Sequence, residues 1–297
     1  MLERINPDYL FIHSVNFADI TTVVKYLKKH RSTVVFADNH GDFSNSAKNW
    51  LSKNILHKII WKYYSHKLIP FVKKFYGVLP ARVDFLKNIY RLPSNMCELL
   101  VMGADDEKIN ASIENNSREI IREKYGVKQD EFLIMTGGKI DLAKTQTLLL
   151  MEAIKSIKND RLKLIVFGSI APALKERVAE LTDDNRIMFI GWVQADESYD
   201  YYAAADLVVF PGRHSVFWEQ VAGQGIPMVV KDWAGTHHVD LGGNVKFIKQ
   251  DSVEEIKSVI ESIIGSAECY SKMKSIAVEK GKKEFSYLEI AKKAIMY

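Results

Sequence analysis

Gly137-Gly138-Lys139, followed by Lys144, sets two lysines five residues apart across a short loop that opens with two glycines. Glycine lets a backbone approach a ligand closely, and two cations at this spacing can converge on a diphosphate. The alternative is a pair of ordinary surface lysines. The loop is not a P-loop, because GxxxxGK(S/T) does not fit, and GxGxxG occurs nowhere in the chain. A second constellation runs from Phe210 to Val230. An apolar strand ends in Pro211-Gly212, a short loop carries Arg213, His214 and Ser215, and a helix follows with Glu219 in its first turns. The free N–H groups at a helix start favour an anion. A glutamate one turn inside can hold a pair of sugar hydroxyls, or simply complement the helix dipole. Gly223, Gly225 and Pro227 then end the helix and lead into the next strand.

The histidines divide by address. His40, in Asp38-Asn-His-Gly-Asp42 at a strand end, is the candidate for chemistry, whereas His13, His57 and His66 read as structural residues. His237 and His238 follow a strand and read first as loop packing. Asp105, in Gly103-Ala-Asp, reads as a residue that stabilises a turn between domains. Between residues 48 and 91 ten Lys and Arg residues stand against one acid, Asp84, although the whole chain carries only +4. Trp50, Trp61, Tyr63, Tyr64 and Phe71 are interleaved with these lysines. Two readings stand side by side: a core-facing helix with a solvated basic face, or a patch resting on anionic lipid. Nucleic acid ranks third, because no recognition motif accompanies the charge.

These residues need a frame. In the second half, short apolar runs at Phe132–Met135, Leu162–Phe167, Ile187–Ile190, Leu207–Phe210 and Met228–Val230 alternate with helical patterns. Those helices fall at Thr145–Ile157, Ala171–Leu181, Glu197–Ala204, Trp218–Gly223 and Ser252–Ile264. Buried strand, helix, buried strand is the pattern of a parallel sheet covered on both faces, and its ligands bind at the C-terminal strand ends. The first half offers strands at Leu10–His13, Thr33–Phe36 and Leu99–Met102. A helix is expected at Ala18–His30 and a basic helical region over Ala47–Tyr76. The polar stretch Asp105–Asn116 reads as a linker. The 297 residues, 47% apolar and 26% charged, exclude wholesale disorder. Cys97 and Cys269 form no metal-binding cluster, which suits a reducing compartment. No apolar run reaches the ~18–20 residues of a bilayer span, and MLERINPDYLFIH lacks the features of a secretory signal.

Taken in order, these segments resemble one family. GGKIDLAKTQTLLLMEAI is similar to its G-R-x-x-x-x-K-G segment, LIVFGS to its strand-then-glycine segment and IMFIGWV to its F-x-G-x-V segment. DLVVFPG with WEQVAGQGIPMVV is similar to its D-x-x-x-x-P-S … E-A-x-A-x-G-x-P-V-V block. INPDYLFIHS, VVFADNHGD, LLVMGAD and the closing FSYLEIAKKAIMY match further segments in the right order. The family is the group 1 (family 4) retaining glycosyltransferases, whose GT-B fold has two Rossmann-like domains. The resemblance implies an α/β chain of two doubly wound domains, the first of them incomplete. It divides the chain into a partial acceptor-side domain at 1–108, a linker at 109–117, a nucleotide-sugar domain at 118–281, and a final helix at 282–297 that returns to the first domain.

Two departures accompany the resemblance. The family's donor motif has two glutamates separated by seven residues, and the position eight before Glu219 is Pro211, so His214 or Ser215 would substitute for the first. The family's opening glycine-rich loop would lie before the start of this chain, and a complementary chain could supply those units. By resemblance, Lys139 and Lys144 neutralise the departing diphosphate and Glu219 holds the ribose hydroxyls. Gly138 and Gly168 admit the nucleotide, Trp192 and Val193 flank the base, and His40 sits by the reacting sugar. No DxD motif is present, so no metal and no cofactor is expected. The implied partners are a nucleotide-sugar donor, a glycan or lipid-linked acceptor and an anionic membrane surface. The implied location is cytoplasmic, peripheral on the inner face of the membrane. The implied role is retaining transfer in surface polysaccharide synthesis. The alternative is a non-catalytic nucleotide-binding or partner subunit on the same fold.

Overall fold

The computed structural model describes residues 2–183 and 185–296. The chain forms two compact units, one of residues up to Met102 with Ala234–His238 and the residues from Lys292 onward, the other of Gly103–Trp233 and Val239–Ala291. The architecture is α/β with two parallel sheets, one of four strands and one of six.

The first unit contains strands β1 (Tyr9–Ile12), β2 (Val34–Asn39), β3 (Val72–Gly77) and β4 (Cys97–Leu99), paired in parallel in the order β1-β2-β3-β4. The helix Ile20–Lys29 buries Ile20, Val24 and Leu27 at i, i+4, i+7 spacing and turns Lys25, Lys28 and Lys29 to solvent. It packs on a core with a strong aromatic share, including Phe75, Phe85 and Tyr90. Two features depart from the sequence reading. The basic region is helical only over Ser52–Trp61, wound as a π-type helix, and Lys62–His66. Its last part, Val72–Gly77, is strand β3. Lys73 and Lys74 mask that strand in the sequence, because together they break its apolar pattern between Val72 and Phe75. Strand β4 also begins and ends earlier than the apolar run Leu99–Met102 suggests.

The second unit contains β5 (Phe132–Gly137), β6 (Leu162–Phe167), β7 (Ile187–Phe189), β8 (Leu207–Phe210), β9 (Met228–Lys231) and β10 (Val245–Ile248), all pairs parallel. The spatial order is β10-β9-β8-β5-β6-β7, so the chain reverses its direction of travel between β5 and β8. Alternate residues Ile134, Leu164, Val166, Leu207 and Val229 pack into one aliphatic cluster with Leu150, Ile154 and Ile260 from the helices. Their neighbours Leu133, Met135, Ile165, Val208 and Val230 are equally buried. Helices therefore cover both faces, which explains the unbroken apolar runs.

The polar stretch read as a linker is helix from Asp106 to Glu114. Asp105 caps it, its carboxylate accepting from the Glu107 and Lys108 N–H groups at 3.0 and 3.3 Å. Ile109 and Ser112 are buried on its inner side. One buried apolar anchor, Ile109, in nine residues is too little to announce a helix.

Candidate functional site

Reversal of strand order leaves a crevice at the carboxyl ends of the strands, because the loops leaving the two central strands turn away to opposite faces. In the second unit these strands are β5 and β8, paired through Ile134–Leu207 and Met135–Val208. The loop after β5 is Gly138–Thr145 and the loop after β8 is Pro211–Val216. Both sequence constellations thus leave the sheet at one switch point. A side chain at Gly212 would lie 3.6 Å from the Gln146 carboxamide, so the two loops run side by side.

The floor of the crevice is backbone. Gly138 N–H donates to Phe167 O at 3.0 Å, Gly168 N–H to Gly191 O at 2.7 Å, and Ile140 N–H to Ser169 O at 2.8 Å. The segments after β5, β6 and β7 are thereby tied together. Gly168 has φ +134° and a Cβ there would lie 1.8 Å from the Gly138 carbonyl oxygen. No other residue type fits. Gly138, at φ +140°, faces open space instead.

The charges stand around this floor. Lys139 Nζ lies 3.1 Å from Asp141 Oδ2, and Lys139 is 60% exposed. The Lys139 hydrogen bond, the Ala143 amide and the charges of Lys139 and Lys144 hold the Asp141 carboxyl below the usual range despite some desolvation. Lys144, exposed, donates its N–H to Asp141 O at 2.8 Å. Asp141 is therefore the ion-pair partner of Lys139, while Lys144 meets it through a main-chain hydrogen bond and the weaker influence of its charge. Across the crevice His214 Nε2 lies 2.8 Å from Glu219 Oε1, with Glu219 fully buried and His214 packed edge-on against Trp218. The Arg213 guanidinium lies 5.7 Å from the centre of the Trp233 ring. Trp192 is 66% exposed beside the buried Val193, and Ser215 is half-buried and accepts the Trp218 N–H.

Residues 131–265 match the family described as glycosyl transferases group 1. The matched stretch covers less than half of the chain, most of it in the second unit. The chain is also 23% identical over 231 residues to mannosylfructose-phosphate synthase of Agrobacterium fabrum, covering 73% of this chain and 50% of that enzyme. It spans about half the length of the curated relatives it matches, 50% and 41% of them. Among solved structures, a glycosyltransferase from Rickettsia africae superposes with a TM-score of 0.69 at 17% identity, covering 98% of this chain and 76% of that one. HepE of Anabaena, solved with UDP and glucose, gives a TM-score of 0.67 at 17% identity, with 96% and 76% covered.

Within the second unit the fold gathers Gly138, Lys139, Lys144, Gly168, Trp192, Val193, His214 and Ser215 onto the segments that follow the carboxyl ends of one sheet's strands, with Glu219 in the first turn of the helix Phe217–Gly223. Asp105 lies in the same unit as a helix cap. His40 belongs to the first unit, in a cluster of its own. There Asp38 is almost fully buried and one of its oxygens accepts from two imidazoles, His13 Nδ1 at 3.0 Å and His40 Nε2 at 3.1 Å. The other accepts the Ser14 N–H at 2.6 Å. An ionised carboxylate only accepts, so each facing ring nitrogen carries a proton. Burial works to raise the Asp38 pKa, but His40, the Ser14 amide and the charge of both imidazoles outweigh it, and the carboxyl stays below its usual range.

Sequence reasoning did not single out Asp141, Trp233 or the pairing of His13 with Asp38. Asp141 stands midway between the two lysines and could have been found from that position alone. The His13 pairing follows from register. Ile12 lies opposite Ala37, so the next residues along, His13 and Asp38, come together.

Proposed function

We propose that this chain is a glycosyltransferase that moves a sugar, with retention, from a nucleotide-sugar donor to a glycan or lipid-linked acceptor in surface polysaccharide synthesis. The observation that carries the reading is the switch point between β5 and β8, which sets the Lys139–Lys144 loop beside the loop holding His214 and Glu219. As the donor's glycosidic bond breaks, negative charge accumulates on the leaving diphosphate. Lys139, turning from Asp141 to the phosphates, and Lys144 stabilise that charge, with no metal required. Glu219, held in place by His214, accepts hydrogen bonds from the ribose hydroxyls. Trp192 and Val193 flank the base, and Gly138 and Gly168 admit the phosphates to the strand ends. In the first unit His40, oriented by Asp38, acts on the acceptor side. The complex of HepE with UDP makes UDP-sugars the first donors to test.

A peripheral place on the inner membrane surface belongs to the same reading. Among the described residues no helix is long and apolar enough to cross a membrane, while a cluster of apolar side chains on the first unit is exposed. The test is release of nucleoside diphosphate from a panel of nucleotide sugars in EDTA, with glycan and lipid-linked acceptors supplied. Turnover that falls at least 100-fold in Lys144→Ala supports transfer at this crevice. Saturable nucleotide binding without turnover on any acceptor would point to a non-catalytic binding subunit.

A further inference from the structure

The first unit presents a surface that its own fold does not explain. Trp50, Leu51, Ile55, Ile59 and Tyr63 are between 41% and 68% exposed, and all lie on or beside the π-type helix Ser52–Trp61. His57 is the only residue of that helix that is buried. Its Nδ1 bonds Tyr90 Oη at 2.8 Å and its Nε2 bonds Ser46 Oγ at 3.0 Å. The helix is anchored by this polar network and by Trp61, which packs on the core, while Trp50, Leu51, Ile55, Ile59 and Tyr63 face solvent. An apolar cluster of this kind on a folded surface marks an interaction site.

Beside it lies a cavity of about 460 Å3 whose lining includes Lys25, Lys28, Arg31, Lys67 and Phe71. The Arg31 guanidinium sits 4.9 Å from the centre of the Phe71 ring, which fixes one cation against an apolar wall. Lys67 joins the two features, since its ammonium lies 4.4 Å from the centre of the exposed Tyr63 ring. Among the described residues no carboxylate lies within ion-pair distance of these four cations. Four uncompensated cations around one hollow call for an anion, and apolar side chains next to them call for a phase that is apolar just beyond it.

We propose that this face docks on an anionic bilayer: Trp50, Leu51, Ile55, Ile59 and Tyr63 enter the interfacial region, and the Lys25–Lys28–Arg31–Lys67 pocket receives a lipid headgroup phosphate. The inference deepens the membrane-peripheral reading above and rests on it. Aromatic and aliphatic side chains beside lysines are the composition of interfacial helices. A second copy of the chain fits less well. Symmetric pairing would bring the Lys48, Lys53, Lys58 and Lys62 face of one copy against the same lysine-bearing face of the other.

The test is flotation of the full chain with vesicles of phosphatidylcholine alone and with 30 mol% phosphatidylglycerol, the composition being on the order of a typical anionic leaflet. The expected result is at least tenfold tighter binding to the anionic vesicles. Lys28→Ala with Arg31→Ala should weaken it about fivefold per cation removed, and inorganic phosphate at millimolar levels should compete only weakly. Leu51→Ser with Ile59→Ser should abolish the binding that survives 0.5 M salt. Equal binding to both vesicle types, or an apolar double variant that binds like the parent, would overturn the proposal. So would sedimentation as a dimer that the apolar variant dissociates. Nucleotide titration of the same preparations reads the second unit alone, so a failure of docking and a failure of the glycosyltransferase reading are told apart.

Discussion

The two sheets share parallel pairing and little else. In the second unit the strands travel outward in both directions from β5, both faces are packed with aliphatic side chains, and the group 1 match at 131–265 falls within it except for Ala234–His238. In the first unit β1 to β4 run in simple sequential order, and Tyr9 and Phe11 of β1 are 60% and 43% exposed. Its interior holds polar groups that must be hydrogen-bonded, such as His57 between Tyr90 and Ser46 and Asp38 between His13 and His40. The difference teaches where each kind of chemistry can be placed. A reversal of strand order makes a crevice lined by glycine backbone and gathered cations. A sequential sheet makes none among its four strands, and this unit instead carries its Asp38–His13–His40 cluster at two neighbouring strand ends.

Perturbations that strike one unit and spare the other sharpen that contrast. The largest effect should come from Gly168→Val, because even a Cβ meets the Gly138 carbonyl oxygen at 1.8 Å. We expect a loss of more than ~3 kcal/mol in the second unit's urea stability, together with loss of nucleotide binding. Leu164→Ala, in the aliphatic cluster, should cost about 2–5 kcal/mol by leaving a cavity, read by the same denaturation curve. In the first unit His57→Phe removes the hydrogen bonds to Ser46 and Tyr90, leaving Tyr90 its bond to Asn16, and a cost of about 1–3 kcal/mol is expected.

That variant should also flatten a pH dependence. Burial lowers the His57 pKa against the smaller opposing effect of Ser46, so the unfolded chain binds more protons than the folded one. The stability from neutral His57 is fully present above the unfolded imidazole value of about 6.5 and is lost progressively as pH falls from there toward the folded pKa. Equal acid sensitivity in His57→Phe and the parent would break this account of the first unit. The smallest effect should be that of Ile59→Ser, within about 0.5 kcal/mol, since its side chain is 61% exposed.

Strands β5, β6, β8 and β9 were legible in the sequence because burial on both faces writes them as continuous apolar runs. Strand β10, Val245-Lys-Phe-Ile248, was not, because it lies at the sheet edge with Lys246 exposed and only four residues to show a pattern. Strand β3 hid in a run of lysines. The site was legible to the extent that it is local. Lys139, Lys144 and Glu219 announce themselves by type and spacing, whereas the Asp38 cluster depends on the pairing of strands 25 residues apart. The adjacency of the loops after β5 and β8 depends on strand order, which local sequence does not encode.

The central claim is that the crevice at the β5–β8 switch point binds a nucleoside diphosphate through Lys144 and Glu219. Calorimetric titration of the chain with UDP, GDP, ADP and CDP in EDTA, repeated on Lys144→Ala and Glu219→Ala, tests it most directly. The account predicts saturable one-to-one binding of one nucleotide, weakened roughly 10- to 100-fold in Lys144→Ala, as befits a lost charged hydrogen bond. Binding unchanged in both variants, or absent for all four nucleotides, would contradict it.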